Sequence, residues 1–164
     1  MERLGLNGAL SKTCKNLKIH EPTEIQEKTI PPILKGLDLI GVAQTGSGKT
    51  ACYCLPSLQK LAADPYGVFG IVLLPTKELA AQVFEQFAVF STSLGFRDKI
   101  ALVVGGDPWL VQTRKIADRP YIVVATPWTS SRTLGTSRHT PEFFKSLCYH
   151  FRRGRSIAHR NTPS

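Results

Sequence analysis

The strongest chemical signal in this chain lies in eight consecutive residues: Ala43, Gln44, Thr45, Gly46, Ser47, Gly48, Lys49 and Thr50. Two glycines let the backbone curl so that several N–H groups face one point, where the dipole of a following helix adds positive potential. Lys49 is expected to reach the β- and γ-phosphates of a nucleotide, and Thr50 to offer its hydroxyl to Mg²⁺. The eight residues predict a phosphate-binding loop.

Such a loop requires a strand before it and a helix after it. The apolar, β-branched run Leu37–Ala43 predicts the strand, and Lys49–Ala62 has the apolar spacing of a helix. The alternative is a glycine-rich turn that binds nothing. The Gly-Lys-Thr ending in this context makes that alternative the weaker one.

Further apolar runs alternate with helical patterns along the chain. Strands are predicted at Phe69–Pro75, Lys99–Gly106 and Tyr121–Pro127, and helices at Lys77–Phe90 and Leu110–Ala117. This alternation predicts right-handed βαβ crossovers and therefore an α/β fold with a parallel sheet flanked by helices.

The first 34 residues have a helical composition with two interruptions. Glu21-Pro22-Thr23 predicts a break, and Pro31-Pro32 predicts the opening of another helical turn. We expect residues 1–36 to form an arm that packs beside the first strand.

Four segments around the loop resemble motifs of the DEAD-box ATP-dependent RNA helicases. Pro22-Thr23-Glu24-Ile25-Gln26 resembles the Q motif, and Pro75-Thr76-Lys77-Glu78-Leu79-Ala80 resembles motif Ia, with Lys77 where the family normally has Arg. Val104-Gly105-Gly106 resembles the glycine doublet, and Ala125-Thr126-Pro127 the start of motif Ib. Each has a bland structural alternative, a helix N-cap or a turn, but their order after the loop favours the family.

The resemblance implies a RecA-like domain that binds ATP and Mg²⁺. It assigns Gln26 to the adenine edge, because an amide offers a donor and an acceptor together. It implies sequence-independent contacts with single-stranded RNA at Pro75, Thr76, Lys77, Gly105, Gly106, Thr126 and Pro127. The aromatic residue that the family places upstream to stack on the base has no counterpart before Tyr53.

The resemblance also carries expectations about biology. It implies ATP-driven unwinding of short duplexes. The sequence around Leu61–Gly70 is most similar to the subgroup of these helicases that acts in small-subunit ribosomal RNA processing. We therefore expect a monomer in the nucleus or nucleolus, with pre-ribosomal particles as partners. A small-molecule kinase is disfavoured, since Gln26 and motif Ia would then be coincidences.

The resemblance ends at Pro127. The family continues with Gly-Arg and later supplies Asp-Glu-Ala-Asp (motif II) and Ser-Ala-Thr (motif III), whereas here Trp128 follows and neither motif appears. Reading one nucleotide later turns the Trp codon into Gly, and in that frame residues 151–158 can encode Leu-Asp-Glu-Ala-Asp-Arg-Leu-Leu. We therefore predict that residues 128–164 are an out-of-frame, disordered tail, although a functional basic arm remains an alternative.

This organisation predicts a Q-motif arm at 1–36, a partial ATP-binding domain at 37–127 and an unrelated tail. Without motif II no catalytic residue is present, so a non-catalytic nucleotide-binding fragment is the alternative function, with hydrolysis at least about a hundredfold slower. The strand that follows motif II in the family should lie beside the strand before the loop and cover its apolar edge. Because motif II and this strand are missing from the sequence, we expect marginal stability or aggregation.

Charge and cysteine content constrain the remaining classes. Of the net charge of +9, residues 128–164 carry +6 and residues 1–127 only +3, which weakens a purely electrostatic argument for nucleic-acid binding. Cys14, Cys52, Cys54 and Cys148 lack metal-ligand spacing and are expected to be free thiols. No apolar run is long enough for a membrane span, and no signal peptide is recognisable.

Overall fold

A computed structural model describes residues 1–65 and 69–126 of the chain. Five α-helices, three strands and three short 3-10 helices occur in this part. The helices are α1 (Gly8–Asn16), α2 (Glu24–Leu34), α3 (Lys49–Ala63), α4 (Lys77–Ser91) and α5 (Trp109–Ala117), and the strands are β1 (Gly70–Leu73), β2 (Ile100–Val103) and β3 (Ile122–Ala125). All three strands and the last three helices lie where the sequence predicts them, within about three residues at either end.

The three strands form a parallel sheet in the order β1-β3-β2. Ile71 of β1 and Ala101 of β2 both face Val123 of the central strand in register. Each parallel pair requires a crossover, and α4 and α5 provide helices for these connections. All four residues of β3 are buried, as expected for a central parallel strand covered on both faces.

Alternate residues of β3 contribute to different cores. Ile122 and Val124 belong to the larger core, together with Phe87 of α4 and Leu58 of α3, whereas Val123 packs with Ile116 of α5. The period of two along a strand explains this division, since successive side chains point to opposite faces. The larger core lies on the face that carries the phosphate-loop helix.

The N-terminal arm contributes alternate residues to the larger core. Leu4 and Leu6 are buried, while the intervening backbone faces Gln59 on α3. The Gln59 side chain donates to the carbonyl of Gly5 at 2.7 Å and accepts from the N–H of Asn7 at 2.8 Å. One amide therefore attaches the arm to α3.

Two predictions from sequence are wrong. The predicted strand Leu37–Ala43 contains only an isolated bridge at Ile40 and is not part of the three-stranded sheet. Its apolar side chains stay exposed, with 76% exposure at Ile40 and 68% at Val42, because within the described residues no neighbouring strand covers them.

The second error concerns Pro31-Pro32, which lie inside α2 instead of opening a new turn. Their missing N–H groups cost two helical bonds, but the helix ends two residues later. Lys35 and Leu37 donate to the carbonyls of Pro31 and Pro32, so the end of the helix is still closed. Pro127, Cys148 and the predicted tail at 128–164 lie outside the described residues.

Candidate nucleotide site and the carboxyl edge of the sheet

The glycine loop adopts the curled backbone that its sequence predicts. Gly46 and Gly48 have φ values of 82° and 84°, in the left-handed region that favours glycine. Ser47 closes the turn by donating through its N–H and its hydroxyl to the carbonyl of Gln44, at 3.3 and 2.7 Å. Gly48 is the N-cap of α3, so the loop delivers its N–H groups to the positive end of that helix.

Lys49 is folded back onto the loop. Its ammonium group donates to the carbonyl of Ala43 and, at 3.0 Å, to that of Gln44. These are neutral acceptors, and a phosphate oxygen is a stronger partner for a cation. A nucleotide would therefore compete with two backbone carbonyls for Lys49. The open space at Gly46, where a Cβ would have no atom within 4 Å, leaves room for the phosphates.

Gln26 is held against this loop from α2. Its side-chain oxygen accepts from the N–H of Thr23 at 3.1 Å in a capping box, and its amide nitrogen donates to the carbonyl of Gly48 at 3.2 Å. Thr23 adds a second link, donating its hydroxyl to the carbonyl of Ser47 at 2.9 Å. The amide retains one N–H and one lone pair, the two functions that an adenine edge requires.

A cavity of about 730 Å³ lies in front of the loop. The loop and α3 form one wall, the end of β1 and Pro75 form another, and α4 supplies Gln82, Glu85 and Gln86. Gln26, Lys49 and Thr50 all line it. The structure therefore brings Gln26 and five of the eight loop residues around one space, whereas Ala43, Gln44 and Ser47 do not line it.

The described lining offers little to a metal ion apart from Thr50. Within residues 1–65 and 69–126 no group of three or more His, Cys, Asp or Glu side chains could hold a metal. A single hydroxyl nevertheless fits Mg²⁺ in a nucleotide site, because that ion keeps several waters and takes other ligands from phosphates. The donor set is thus compatible with a nucleotide-borne Mg²⁺ and not with a protein-only metal centre.

Tyr53 is a lining residue that the sequence reasoning did not assign to the site. It lies one turn after Thr50 on α3, and its ring packs against Phe87 of α4 with centroids 6.1 Å apart. Burial raises the pKa of the phenol well above its usual value. The i, i+3 spacing from Thr50 is the signal that could have identified it.

The predicted RNA contacts collect at the carboxyl edge of the sheet. Thr76 is the N-cap of α4, and its hydroxyl accepts from the N–H of Leu79 at 3.2 Å. Lys77 approaches Gly106 so closely that a Cβ there would lie 2.8 Å from the ammonium group. Thr126 follows β3 and donates its N–H to the carbonyl of Val103 at 3.3 Å.

Exposure differs among these residues. Pro75, Thr76, Lys77 and Gly106 are exposed, Gly105 is half-buried and Thr126 is buried. Only Gly106 of the doublet has a positive φ, 103°. The structure thus contains the N-cap at Thr76 and the turn at Gly106, which were the structural alternatives for these two motifs. Their location at the edge of the sheet also leaves Lys77 accessible.

The three described cysteines are free and buried. Burial raises the thiol pKa values of Cys14, Cys52 and Cys54. Thiols that ionise with difficulty are poor nucleophiles and poor metal ligands. No helix in the described ranges combines the length and the apolar character that crossing a bilayer demands.

Together the parallel sheet, the glycine loop and the helix that follows it define a RecA-like nucleotide-binding domain. The family model described as DEAD/DEAH box helicase matches residues 23–149. The chain belongs to the DEAD/DEAH box helicase family. The match continues beyond Thr126 into the part of the chain outside the described residues, and the out-of-frame origin of residues 128–164 stays a prediction.

Individual relatives agree with this assignment. The chain is 45% identical over 143 residues to DEAD-box ATP-dependent RNA helicase 36 of Arabidopsis thaliana, covering 87% of this chain and 29% of that protein. It is 48% identical over 124 residues to human probable ATP-dependent RNA helicase DDX49, covering 76% of this chain and 25% of that protein. The chain thus spans between a quarter and a third of the length of these relatives.

A solved structure supports the fold. The RNA helicase Prp28 of Chaetomium thermophilum bound to ADP has a TM-score of 0.70 and 37% identity, over 78% of this chain and 32% of that chain. That related helicase was solved with ADP bound.

Proposed function

We propose that this chain is the ATP-binding part of an ATP-dependent RNA helicase. The observation that carries the proposal is the convergence of Gln26, the glycine loop and Lys49 on one cavity. Gln26 is fixed by two hydrogen bonds, one of them to the loop itself, so its free amide functions are pre-oriented. In this proposal Gln26 reads the adenine edge, the N–H groups of Gly46 to Thr50 hold the phosphates, and Thr50 contacts Mg²⁺.

RNA binding is the second part of the proposal. Thr76, Lys77 and Gly106 lie together at the carboxyl edge of the sheet, and the cavity reaches the same edge at Pro75. Backbone groups, a hydroxyl and a cation at this edge suit phosphates and 2′-hydroxyls, which carry no base information. Single-stranded RNA is the substrate that this surface favours, and ribosomal RNA processing in the nucleolus is the setting we propose.

A second candidate function is nucleotide binding without turnover. Glu85 is the sole carboxylate among the described residues that line the cavity, and it lies on α4, exposed. Hydrolysis of ATP needs groups that organise Mg²⁺ and position the attacking water. Lack of a single well-placed electrostatic contact costs about a hundredfold or more in rate.

Calorimetric titration of the purified chain with ADP and Mg²⁺ tests the nucleotide site. Lys49→Ala removes the phosphate cation and should weaken binding at least about tenfold, the value of a charge-assisted hydrogen bond. Lys12→Ala, at an exposed position of α1, is the matched control and should leave the affinity unchanged. Equal affinities for Lys49→Ala and wild type would contradict the site.

RNA-stimulated release of phosphate separates the two candidate functions. Turnover in wild type that disappears in Lys49→Ala supports the helicase motor. ADP binding with turnover no faster than in Lys49→Ala supports the non-catalytic fragment.

A further inference from the structure

Gly106 lies against the tip of the Lys77 side chain. A Cβ built on Gly106 would lie 2.8 Å from the Lys77 ammonium nitrogen and 3.9 Å from the Cε that carries it. Atoms that are not bonded to each other do not stay as close as the first of these distances, so a side chain at residue 106 would move the ammonium group away. The position of this cation at the carboxyl edge of the sheet therefore depends on the absence of a side chain at Gly106.

The backbone of Gly106 supplies a separate reason for glycine. Its φ of 103° favours glycine for the turn alone. The two requirements have different consequences when a side chain is introduced. Backbone strain lowers the stability of the chain, whereas the collision with Lys77 meets only the end of a flexible side chain, which swings away at little cost. The second effect therefore changes where the charge lies more than it changes stability.

The Lys77 charge is available to an anion. Lys77 is exposed, and none of the ion pairs in the described part of the chain includes it. Asp107, the acid that follows Gly106 in the sequence, is held instead by Lys115 of α5, with 2.9 Å between the ammonium nitrogen and a carboxylate oxygen. Lys115 also donates to the carbonyl of Leu102 at 3.1 Å, which fixes it in this place. The neighbouring acid is thus engaged by α5 and leaves Lys77 unneutralised.

We propose that Gly106 is a positioning residue for RNA binding, because its missing side chain lets the Lys77 ammonium group lie across the sheet edge and neutralise one phosphate of the RNA backbone. The inference rests on the proposed RNA surface. It changes the part that Gly106 plays there, since the resemblance in sequence assigns Gly106 an RNA contact of its own. In this arrangement Gly106 acts through Lys77.

The salt dependence of RNA binding tests this role. Binding of a short fluorescent oligouridine RNA to the full chain is followed by anisotropy between about 50 and 200 mM salt. Each phosphate neutralised on a single strand contributes about 0.7 to the slope of log affinity against log salt. Lys77→Ala should reduce the slope by about 0.7 and weaken binding about three- to fivefold near physiological salt. Gly106→Ala changes no charge and should nevertheless reduce the slope by the same amount.

Two matched controls separate this effect from strain and from charge in general. Gly95 also has a positive φ, 70°, but no atom lies within 4 Å of its Cβ position, so Gly95→Ala introduces strain without displacing a cation. Lys12→Ala removes an exposed charge on α1. Both controls should keep the wild-type slope.

Gly106→Asn is a second test of the same position. Asparagine tolerates positive φ better than alanine does and still carries a Cβ, so this variant should lose the same part of the slope with less strain. Circular dichroism of every variant checks that the fold is retained.

A double-mutant cycle distinguishes positioning from direct contact. Once Lys77 has been replaced by alanine, Gly106→Ala should have no further effect on the slope or the affinity. A wild-type slope in both Gly106 variants, or an undiminished effect of Gly106→Ala in the Lys77→Ala background, overturns the positioning role while the RNA surface stands. A wild-type slope in Lys77→Ala, or no RNA binding by the wild-type chain, overturns the RNA surface and this inference together.

Discussion

Substitution of Gly48 by alanine should test how the loop and α2 are joined. Gly48 has φ 84°, and a Cβ built there collides with the amide nitrogen of Gln26 and lies 3.5 Å from the Thr23 hydroxyl. Gln26 is 3% exposed and is held by bonds to Thr23 and to Gly48 itself. It cannot retreat without losing those bonds.

The expected loss in the free energy of unfolding has two contributions. An alanine in the left-handed region costs about 1–2 kcal/mol. Displacement of the Gln26 amide leaves buried polar groups without partners, at about 1–3 kcal/mol more. Gly48→Ala should therefore lower the free energy of unfolding by about 2–5 kcal/mol, a large fraction of the stability of a small domain.

Gly46→Ala provides the matched comparison. Gly46 has nearly the same φ, 82°, but no atom lies within 4 Å of its Cβ position. Only the backbone contribution of about 1–2 kcal/mol applies there. In a Gln26→Ala background the collision at Gly48 disappears, so Gly48→Ala should then cost no more than Gly46→Ala.

Urea unfolding followed by circular dichroism measures all of these variants. If Gly48→Ala and Gly46→Ala destabilise the chain equally, the close packing of Gln26 on the loop does not contribute to stability. The same conclusion follows if Gln26→Ala fails to reduce the cost of Gly48→Ala.

Two further predictions concern α4 and the cysteines. Thr76→Ala removes the N-cap bond to Leu79 and should lower the free energy of unfolding by about 1 kcal/mol in urea titrations, whereas Thr76→Ser retains the hydroxyl and most of the stability; equal losses in both would exclude the cap. Burial raises the pKa of the Cys54 thiol in the folded chain, so stability should be constant below about pH 8 and should fall as the thiol ionises in the unfolded chain above about pH 8.5. Urea titrations at pH 7 and 9.5 should show a smaller fall for Cys54→Ala, and an unchanged fall would contradict this assignment.

Local signals predicted most of the described fold correctly. The glycine spacing specified the loop because only glycine adopts the φ values found at Gly46 and Gly48 without cost. The runs that became β1, β2 and β3 were identified because a covered parallel strand is apolar on both faces. The order β1-β3-β2 was not predicted, since it depends on which crossovers pack together and not on any one segment.

The errors have a common physical origin in tertiary context. Leu37–Ala43 has the composition of a buried strand, but strand formation depends on a neighbour that pairs with it. Tyr53 was missed because its place in the cavity lining depends on how α3 packs against α4, which composition does not reveal. The adenine, RNA and metal assignments were made by motif, and the structure adds only that their described members surround one cavity and one sheet edge.

The order β1-β3-β2 also has a consequence for synthesis on the ribosome. Within the described sheet the central strand is the last of the three to be made, so β1 and β2 gain their shared partner only once residue 125 has emerged. At a translation rate of about 5–20 residues per second, the 52 residues between the ends of β1 and β3 take about 3–10 seconds to synthesise. β1 waits with an open apolar edge for that whole interval and β2 for its last 22 residues, so we expect the nascent chain to be most prone to aggregation before the described sheet closes.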